Sequence, residues 1–491
     1  LNKYVDWKWR NGKTGDIASD SMLKRLTDTR TLLGLLLLYG LVLTVWNLGN
    51  MAVFVDEAYH INMGHQLLRG DPCPGCPFSS GWVFIHPVAV AVADAVGGLY
   101  GARAMSIILG LLLVYFIFIT GRTLFNEKTG LIAAAIFLFS GQAPYLMRLS
   151  TYDMTAAFLL GCSFMIIVIS TGDLPDRRRA FTLVAGMLIL FLAAVSKYLL
   201  PAFVPAMVLY ALYMHRFSKA MVFSMVMLFV LAALFWFFAP YSPKYAVLGQ
   251  ISDFKADTHV PFSILAERTL RWVGLAYILS VFGMFHKEHG RTAVILFLLS
   301  LPIILVHWIT EAEQSLNKNV IFSFIFLAPA SALGVDRIGS LFAMKSPGRA
   351  LQRFFSIATI VIFWVYGFQH FRWLEKQYPN VRPMIEFFDE KGFDGMTVIL
   401  NGWDSDIYSY SLNAKYPHAR YLHITEAVEK DENGDWTGIA ADFLICEDNY
   451  YGRFYPCTDY GEYIDENYEM LEHFMFELSW GITDSKIYGR R

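Results

Sequence analysis

The sequence predicts a polytopic α-helical membrane protein with a small α/β domain at its C-terminal end. Three observations carry this expectation. Charged residues make up 17% of the 491 residues, against about 25% in soluble domains, so solvated surface is scarce. Eleven stretches are apolar, and several reach eighteen residues or more, enough to cross roughly 30 Å of hydrocarbon. The net charge of −2 divides unequally: residues 1–373 hold 30 Lys+Arg against 19 Asp+Glu, whereas residues 374–491 hold 10 against 23. The acidic part, 118 residues long, has no run able to span a bilayer, which puts a domain boundary near residue 373. A soluble enzyme, a nuclear factor and a secreted scaffold are excluded.

The apolar stretches lie at about 31–49, 102–121, 129–147, 154–171, 181–196, 199–214, 220–239, 269–285, 292–309, 320–335 and 354–371. Orientation follows from the preference of Lys and Arg for the cytoplasmic side. With the basic arm Lys3–Arg30 inside, alternate connections carry Arg122 and Lys128, Arg177–Arg179, Arg216 and Lys219, Lys287 and Arg291, and Arg337 to Arg353. All of these then fall inside, and only the 240–268 loop adds comparable basic charge outside. Residues 82–99 are apolar, but counting them as a span would reverse every later loop. They are expected to lie in or dip into the outer interface, where His86, Pro87 and Asp94 are tolerated. The first external loop then runs over about 50–102, and the 374–491 domain is extracytoplasmic. The arm is too charged for a signal peptide, so the first span is expected to be retained. The implied location is the plasma (inner) membrane, N-terminus cytoplasmic.

Candidate functional residues gather on the outer side. Asp56 and Glu57 follow the first span within Val55-Asp56-Glu57-Ala58-Tyr59-His60. An acidic pair at a helix start caps the helix and complements its dipole; held at a membrane surface, it also offers a general base. Tyr59, Met63 and Leu67 recur every four residues, as on an amphipathic helix lying on the bilayer. Arg148 and Asp153 flank a tight external turn, where they either pair with each other or face the cleft of Asp56. Lys197, between two spans with almost no loop, and Lys318, ahead of the tenth span, either snorkel to lipid head groups or grip a phosphate. Among twelve histidines, His60, His65, His86, His259 and His307 lie at or near the outer face without a metal-ligand spacing. No catalytic metal or other cofactor is predicted, and three residues within Asp56–His60 are thin support for a divalent cation. Cys162 is intramembrane; Cys73, Cys76, Cys446 and Cys457 are external, an even set that favours disulfides over a zinc site.

These residues, in this order and on this side, resemble the membrane glycosyltransferases of the dolichyl-phosphate-mannose mannosyltransferase superfamily, the GT-C fold. Nearest in pattern are bacterial relatives that move sugars from polyprenyl phosphate, such as the aminoarabinose transferases of lipid A. The matching positions are Asp56-Glu57, His86-Pro87, Arg103, Arg122-Thr123-Leu124-Phe125, Arg148 with Asp153, Lys197-Tyr198, and the segment from Lys318 to Pro329. They cover roughly residues 30–335. Val88 replaces a second proline of the family motif, and Asn319 stands where many members have an aromatic residue. The resemblance implies inverting transfer from a polyprenyl-phosphate sugar to an acceptor glycan, lipid or protein on the outer face. Asp56 would be the base, with Glu57 or Asp153 orienting acceptor or sugar. Lys197, Lys318 and Arg148 would hold the donor phosphate, and Tyr59, His60 and His86 would line the acceptor or sugar subsite. A carboxylate base is effective at neutral pH behind water-excluding walls, which helices over 57–69 and 86–99 would provide.

In the tail, Thr397–Leu400, Arg420–Ile424 and Asp442–Cys446 read as strands and Asp404–Leu412 as a helix, giving three or four strands. Its acidity argues against nucleic acid and anionic lipid as partners. The rival readings are a lipid or sugar transporter, which would place ionisable groups mid-membrane on broken helices, and a non-catalytic scaffold with the tail as binding module.

Overall fold

The computed structural model describes residues 28–46, 48, 53–71, 85–238, 260–313, 315–343, 348–376, 382–401, 410–412, 416, 418–431, 436–447, 460–478 and 481–491. The basic arm before Asp28, most of the loop before Val260, His259, Cys73, Cys76 and Cys457, and most of the 404–412 helix lie outside the described residues.

The apolar stretches fold as helices, and their lengths differ in an instructive way. Among the described residues, seven are able to cross a membrane by length and composition: Ile85–Leu124, Tyr152–Ser170, Asp176–Ser196, Lys219–Phe237, Gly290–Thr310, Leu316–Leu341 and Ala350–Glu375. The other four are shorter, broken or charged. The first, α1 (Thr29–Val45), has 17 residues. The 129–147 stretch divides into α4 (Glu127–Leu138) and α5 (Gln142–Met147). The third of these segments, Leu200–His215, is a short apolar helix, and the fourth, α10 (Phe262–Met284), carries Glu267, Arg268 and Arg271. The protein is an integral membrane protein.

Between α1 and α4 lie α2 (Val55–Arg69) and α3 (Ile85–Leu124). The expected break between 82–99 and the following span is present. α3 is two helices joined where Gly97 and Gly98 leave helical geometry, and Gly98 has φ +59°, which L side chains seldom adopt. α2 does not stand free: a Cβ at Gly64 would come within 2.0 Å of the Pro87 carbonyl oxygen, so only glycine permits this crossing of α2 and α3. Ala58, Ile61 and Met63 are buried in consequence.

After α5 come α6 (Tyr152–Ser170), α7 (Asp176–Ser196), α8 (Phe203–His215), α9 (Lys219–Phe238), then α10, α11 (Gly290–Leu299), α12 (Pro302–Thr310), α13 (Leu316–Ala343) and α14 (Gly348–Glu375). α13 forms the hub. From Val320 to Val335 all its residues are buried, and it packs on α10 so closely that a Cβ at Gly334 would meet the Leu279 carbonyl. By contrast α9 is apolar all round yet exposes Phe223, Val226 and Phe229, the signature of a helix solvated by lipid.

The acidic tail begins with α15 (Arg382–Lys391) and forms a five-stranded sheet, more than the three or four strands expected. β1 (Thr397–Asn401) pairs in parallel with β2 (Arg420–His423) and β5 (Phe443–Glu447). β6 (Tyr468–Leu478) and β7 (Gly481–Arg490) then add an antiparallel hairpin to β5, giving the order β2-β1-β5-β7-β6. β3 (Val428–Lys430) and β4 (Trp436–Gly438) make a separate ribbon. Cys446 on β5 is disulfide-bonded.

The tail sits on the segment between α1 and the α3 span. Val53 and Ala58 share an apolar cluster with Met384, Phe388, Leu400 and Ile445. Beside that cluster Tyr410 donates its hydroxyl to Asp94 Oδ1 at 2.5 Å, and Asp94 Oδ2 meets His65 Nε2 at 2.8 Å. Burial foremost, and then the Asp94 carboxylate, raise the pKa of the Tyr410 phenol, so this hydroxyl remains a donor.

Candidate active site

Three helices begin at one place. Asp56 and Asp153 each occupy the second position of their helices, α2 and α6, and Lys318 stands in the first turn of α13. Lys197 ends α7. The positive ends of three helix dipoles therefore converge on the two carboxylates.

Two lysine–carboxylate pairs form the centre. Lys318 Nζ donates to Asp56 Oδ2 at 2.7 Å and lies 4.9 Å from the centroid of the Phe54 ring. Lys197 Nζ donates to Asp153 Oδ1 at 2.5 Å, and Asp153 Oδ2 accepts from Thr151 Oγ1 at 3.1 Å. The pairs are neighbours, because the charges of Asp56, Asp153, Lys197 and Lys318 all act on the Tyr152 hydroxyl. Their settings differ. The side chains of Asp153 and Lys197 are 0% and 2% exposed, whereas Asp56 is 31% exposed. Only the Asp56 pair opens appreciably to a substrate.

Aromatic rings join the two pairs. Lys197 Nζ lies 4.2 Å from the Tyr152 centroid, and Tyr152 stands 4.8 Å from His60, which meets His86 edge to face at 5.3 Å. His60 Nδ1 donates to the carbonyl of Asp56 itself, fixing its ring against the base candidate. Burial is the main influence on His60 and lowers its pKa below 6.5, outweighing the pull of Asp56 and Asp153. It is neutral at pH 7. Hydrogen bonding assigns the His86 tautomer too: Nε2 donates to the Ser150 carbonyl at 3.1 Å, leaving Nδ1 to accept from Thr155 Oγ1 at 2.9 Å. Tyr59, half-buried, stacks edge to face on His60.

Glu57 and Arg148 are engaged elsewhere. Glu57 is fully buried and takes a bidentate bond from Arg103, Nε to Oε1 at 3.0 Å and Nη2 to Oε2 at 2.8 Å. Its two oxygens also accept from the backbone N–H of Ser150 at 2.7 Å and of Phe54 at 2.9 Å. Arg103 binds the Leu48 carbonyl as well. This one carboxylate thus ties the start of α2, the start of the α3 span and the turn before α6. Arg148 pairs with Glu375 at the end of α14, against the Phe371 ring.

Sequence reasoning passed over Tyr152, Thr155 and the His307–Asn319 pair as site residues. His307 Nδ1 donates to Ala312 O at 2.7 Å, so its Nε2 accepts from Asn319 Nδ2 at 3.0 Å. Tyr152 carried a usable signal, being the aromatic neighbour of Asp153. Among the described residues no three His, Cys, Asp or Glu side chains come together to hold a metal ion.

Comparison with known proteins accords with this architecture. Residues 89–242 match the dolichyl-phosphate-mannose-protein mannosyltransferase family. No curated protein sequence matches the chain. Among solved structures, apo ArnT from Cupriavidus metallidurans superposes with a TM-score of 0.60 at 13% identity, covering 94% of this chain and 98% of that one. The same protein bound to undecaprenyl phosphate gives 0.53 at 12% identity, over 96% and 98%. The Archaeoglobus fulgidus oligosaccharyltransferase tethered to an acceptor peptide gives 0.52 at 12% identity, over 86% and 70%. The chain therefore has the GT-C fold, the fold that its sequence resembles.

Proposed function

We propose that this protein transfers a sugar from a polyprenyl-phosphate donor to an acceptor hydroxyl, with inversion, on the extracytoplasmic face. The observation that carries the reading is the meeting of Asp56, Asp153, Lys197 and Lys318, drawn from four separate helices, at one helix-start cluster with a single partly open carboxylate. Structural likeness to ArnT bound to undecaprenyl phosphate supports the lipid-phosphate donor. The disulfide at Cys446 supports an oxidising compartment for the tail, hence the extracytoplasmic side.

In this mechanism Asp56 takes the proton of the acceptor hydroxyl as its oxygen attacks C1 of the sugar from the face opposite the phosphate. The C1–O bond to phosphate breaks, its electron pair stays on the phosphate oxygen, and polyprenyl phosphate departs. The leaving group is already good, so catalysis rests on proton removal and on positive charge placed where the phosphate charge grows. Lys318 and the helix N-termini supply that charge, while the enclosed Lys197–Asp153 pair, neutral overall, holds the frame behind them. His60 and His86, both neutral, hydrogen-bond the frame and shape the wall beside the sugar. Glu57 acts through Arg103 and the Ser150 and Phe54 amides, holding Asp56 and Asp153 in place.

The test is release of free polyprenyl phosphate from a labelled polyprenyl-phosphate sugar by the purified protein with membrane-extract acceptors. A glycosyltransferase yields polyprenyl phosphate and labelled acceptor together. A transporter or a scaffold leaves the sugar–phosphate bond intact, and that result would end the proposal.

A further inference from the structure

We infer that the two lysine–carboxylate pairs do different work: Lys318 leaves Asp56 to hold the donor's phosphate, which frees the base, while Lys197 stays on Asp153 throughout. This inference rests on the transfer reaction proposed above and specifies how its donor controls it.

The difference lies in what surrounds each pair. Lys197 Nζ is enclosed by Tyr152, Tyr198 and Phe322, with centroids at 4.2, 5.8 and 5.7 Å, and its partner Asp153 is fully buried with its second oxygen engaged by Thr151. Removing either charge from such a pair strands the other in a low-dielectric setting. Lys197 is thus anchored. Lys318 has one carboxylate partner and one ring, Phe54, and that carboxylate is the only one of the two that reaches solvent. Lys318 itself is only 9% exposed, but the open side of Asp56 gives a ligand access to the pair, and a phosphate, with more charge and more acceptor oxygens, outcompetes the carboxylate for this ammonium.

Charge balance gives the exchange its function. With both pairs made, the two carboxylates and two ammoniums cancel, and Asp56 Oδ2 is occupied by an N–H donor. Arriving phosphate draws Lys318 onto itself. Asp56 is then left with an open oxygen lone pair beside the donor, and its charge is relieved when it takes the acceptor's proton. Donor binding therefore precedes activation of the base, and an acceptor alone meets a masked carboxylate. His60, bonded to the Asp56 backbone carbonyl, holds the helix start still during the exchange.

The experiment measures binding of sugar-free polyprenyl phosphate to the purified full-length protein in nanodiscs, with turnover of a polyprenyl-phosphate sugar followed in parallel. Asp56→Asn removes the competitor for Lys318 and should tighten lipid-phosphate binding about tenfold while turnover is lost. Lys318→Gln should weaken binding by about tenfold or more. Lys197→Gln risks misfolding by leaving Asp153 unpaired, so the neutral double variant Lys197→Gln/Asp153→Asn is used; it should bind within about twofold of the native protein. Unchanged affinity in Asp56→Asn overturns the exchange, and a double variant as weak as Lys318→Gln shows that Lys197 grips the phosphate and overturns the assignment. If the native protein turns over donor normally in either case, the transfer reaction stands and only this inference falls. If the native protein neither binds polyprenyl phosphate nor releases it from the sugar, both fall.

Discussion

Lys318 and Asp56, 262 positions apart in the chain, meet in a 2.7 Å hydrogen bond at the starts of two helices. That contact joins α2 to the buried central helix α13. It places the one partly open carboxylate of the cluster next to a cation suited to a departing phosphate.

Asp56→Asn keeps the size of the side chain and the backbone carbonyl that His60 binds, but cannot accept a proton. Transfer should fall by roughly 10²–10⁴-fold, the usual contribution of a positioned base, with only a modest drop in the thermal unfolding midpoint, since the asparagine oxygen still accepts from the buried Lys318. Quantitation of labelled acceptor in single-turnover assays checks it. Full activity in this variant would remove Asp56 from the mechanism.

Arg103→Met should destabilise the protein by about 3–5 kcal/mol, because it leaves Glu57 as an unpaired charge in a fully buried position. The double variant Glu57→Gln/Arg103→Met should recover part of that loss, since glutamine still offers an oxygen to the Ser150 or Phe54 amide. Thermal unfolding in detergent reads both. Equal stability of the single variant and the native protein would show that the clamp is unimportant.

Stability should depend on pH through His60. Burial lowers its folded pKa below 6.5, while unfolding restores the ordinary value. Between the two values the unfolded chain binds a proton that the folded chain does not, so stability falls as pH drops through this window and is complete above it. The unfolding midpoint should decrease from about pH 7.5 to about pH 5.5. His60→Asn, which keeps a donor toward the Asp56 carbonyl, should lessen that slope by the share of one histidine.

Tyr410→Phe deletes the hydroxyl bonded to Asp94 and leaves the apolar cluster of Val53 and Ala58 with the tail intact. A bond to a charged acceptor contributes about 1.5–3 kcal/mol. Hydrogen exchange should therefore quicken in the first helix of α3 and in Tyr410's own segment, without global unfolding. Unaltered exchange at both places would mean that this hydroxyl does not fasten the tail.

Much of this molecule was legible in the linear sequence. Apolar runs dictate membrane helices because backbone polar groups in hydrocarbon must be satisfied within each segment. The charge imbalance marked the tail, and the β-rich runs at Thr397, Arg420 and Asp442 marked three of its strands. The β6–β7 hairpin was missed, because Tyr468–Leu478 mixes Glu, Met and His without clean alternation and gains its register from pairing with β5 through β7. Asp56, Asp153, Lys197 and Lys318 could be singled out because charges at the ends of apolar segments are conspicuous.

Which charge meets which was a different matter. Sequence spacing brings Arg148 close to Asp153, yet Arg148 pairs with Glu375, Asp153 with Lys197, and Glu57 with Arg103. Local order alone determined the helices, their polar ends and the division into body and tail, since these depend on neighbours a few residues apart. Only packing decided the partners and the exposure of each charge. An ion pair's energy depends on distance and local dielectric, and both are set by helices that meet across hundreds of residues.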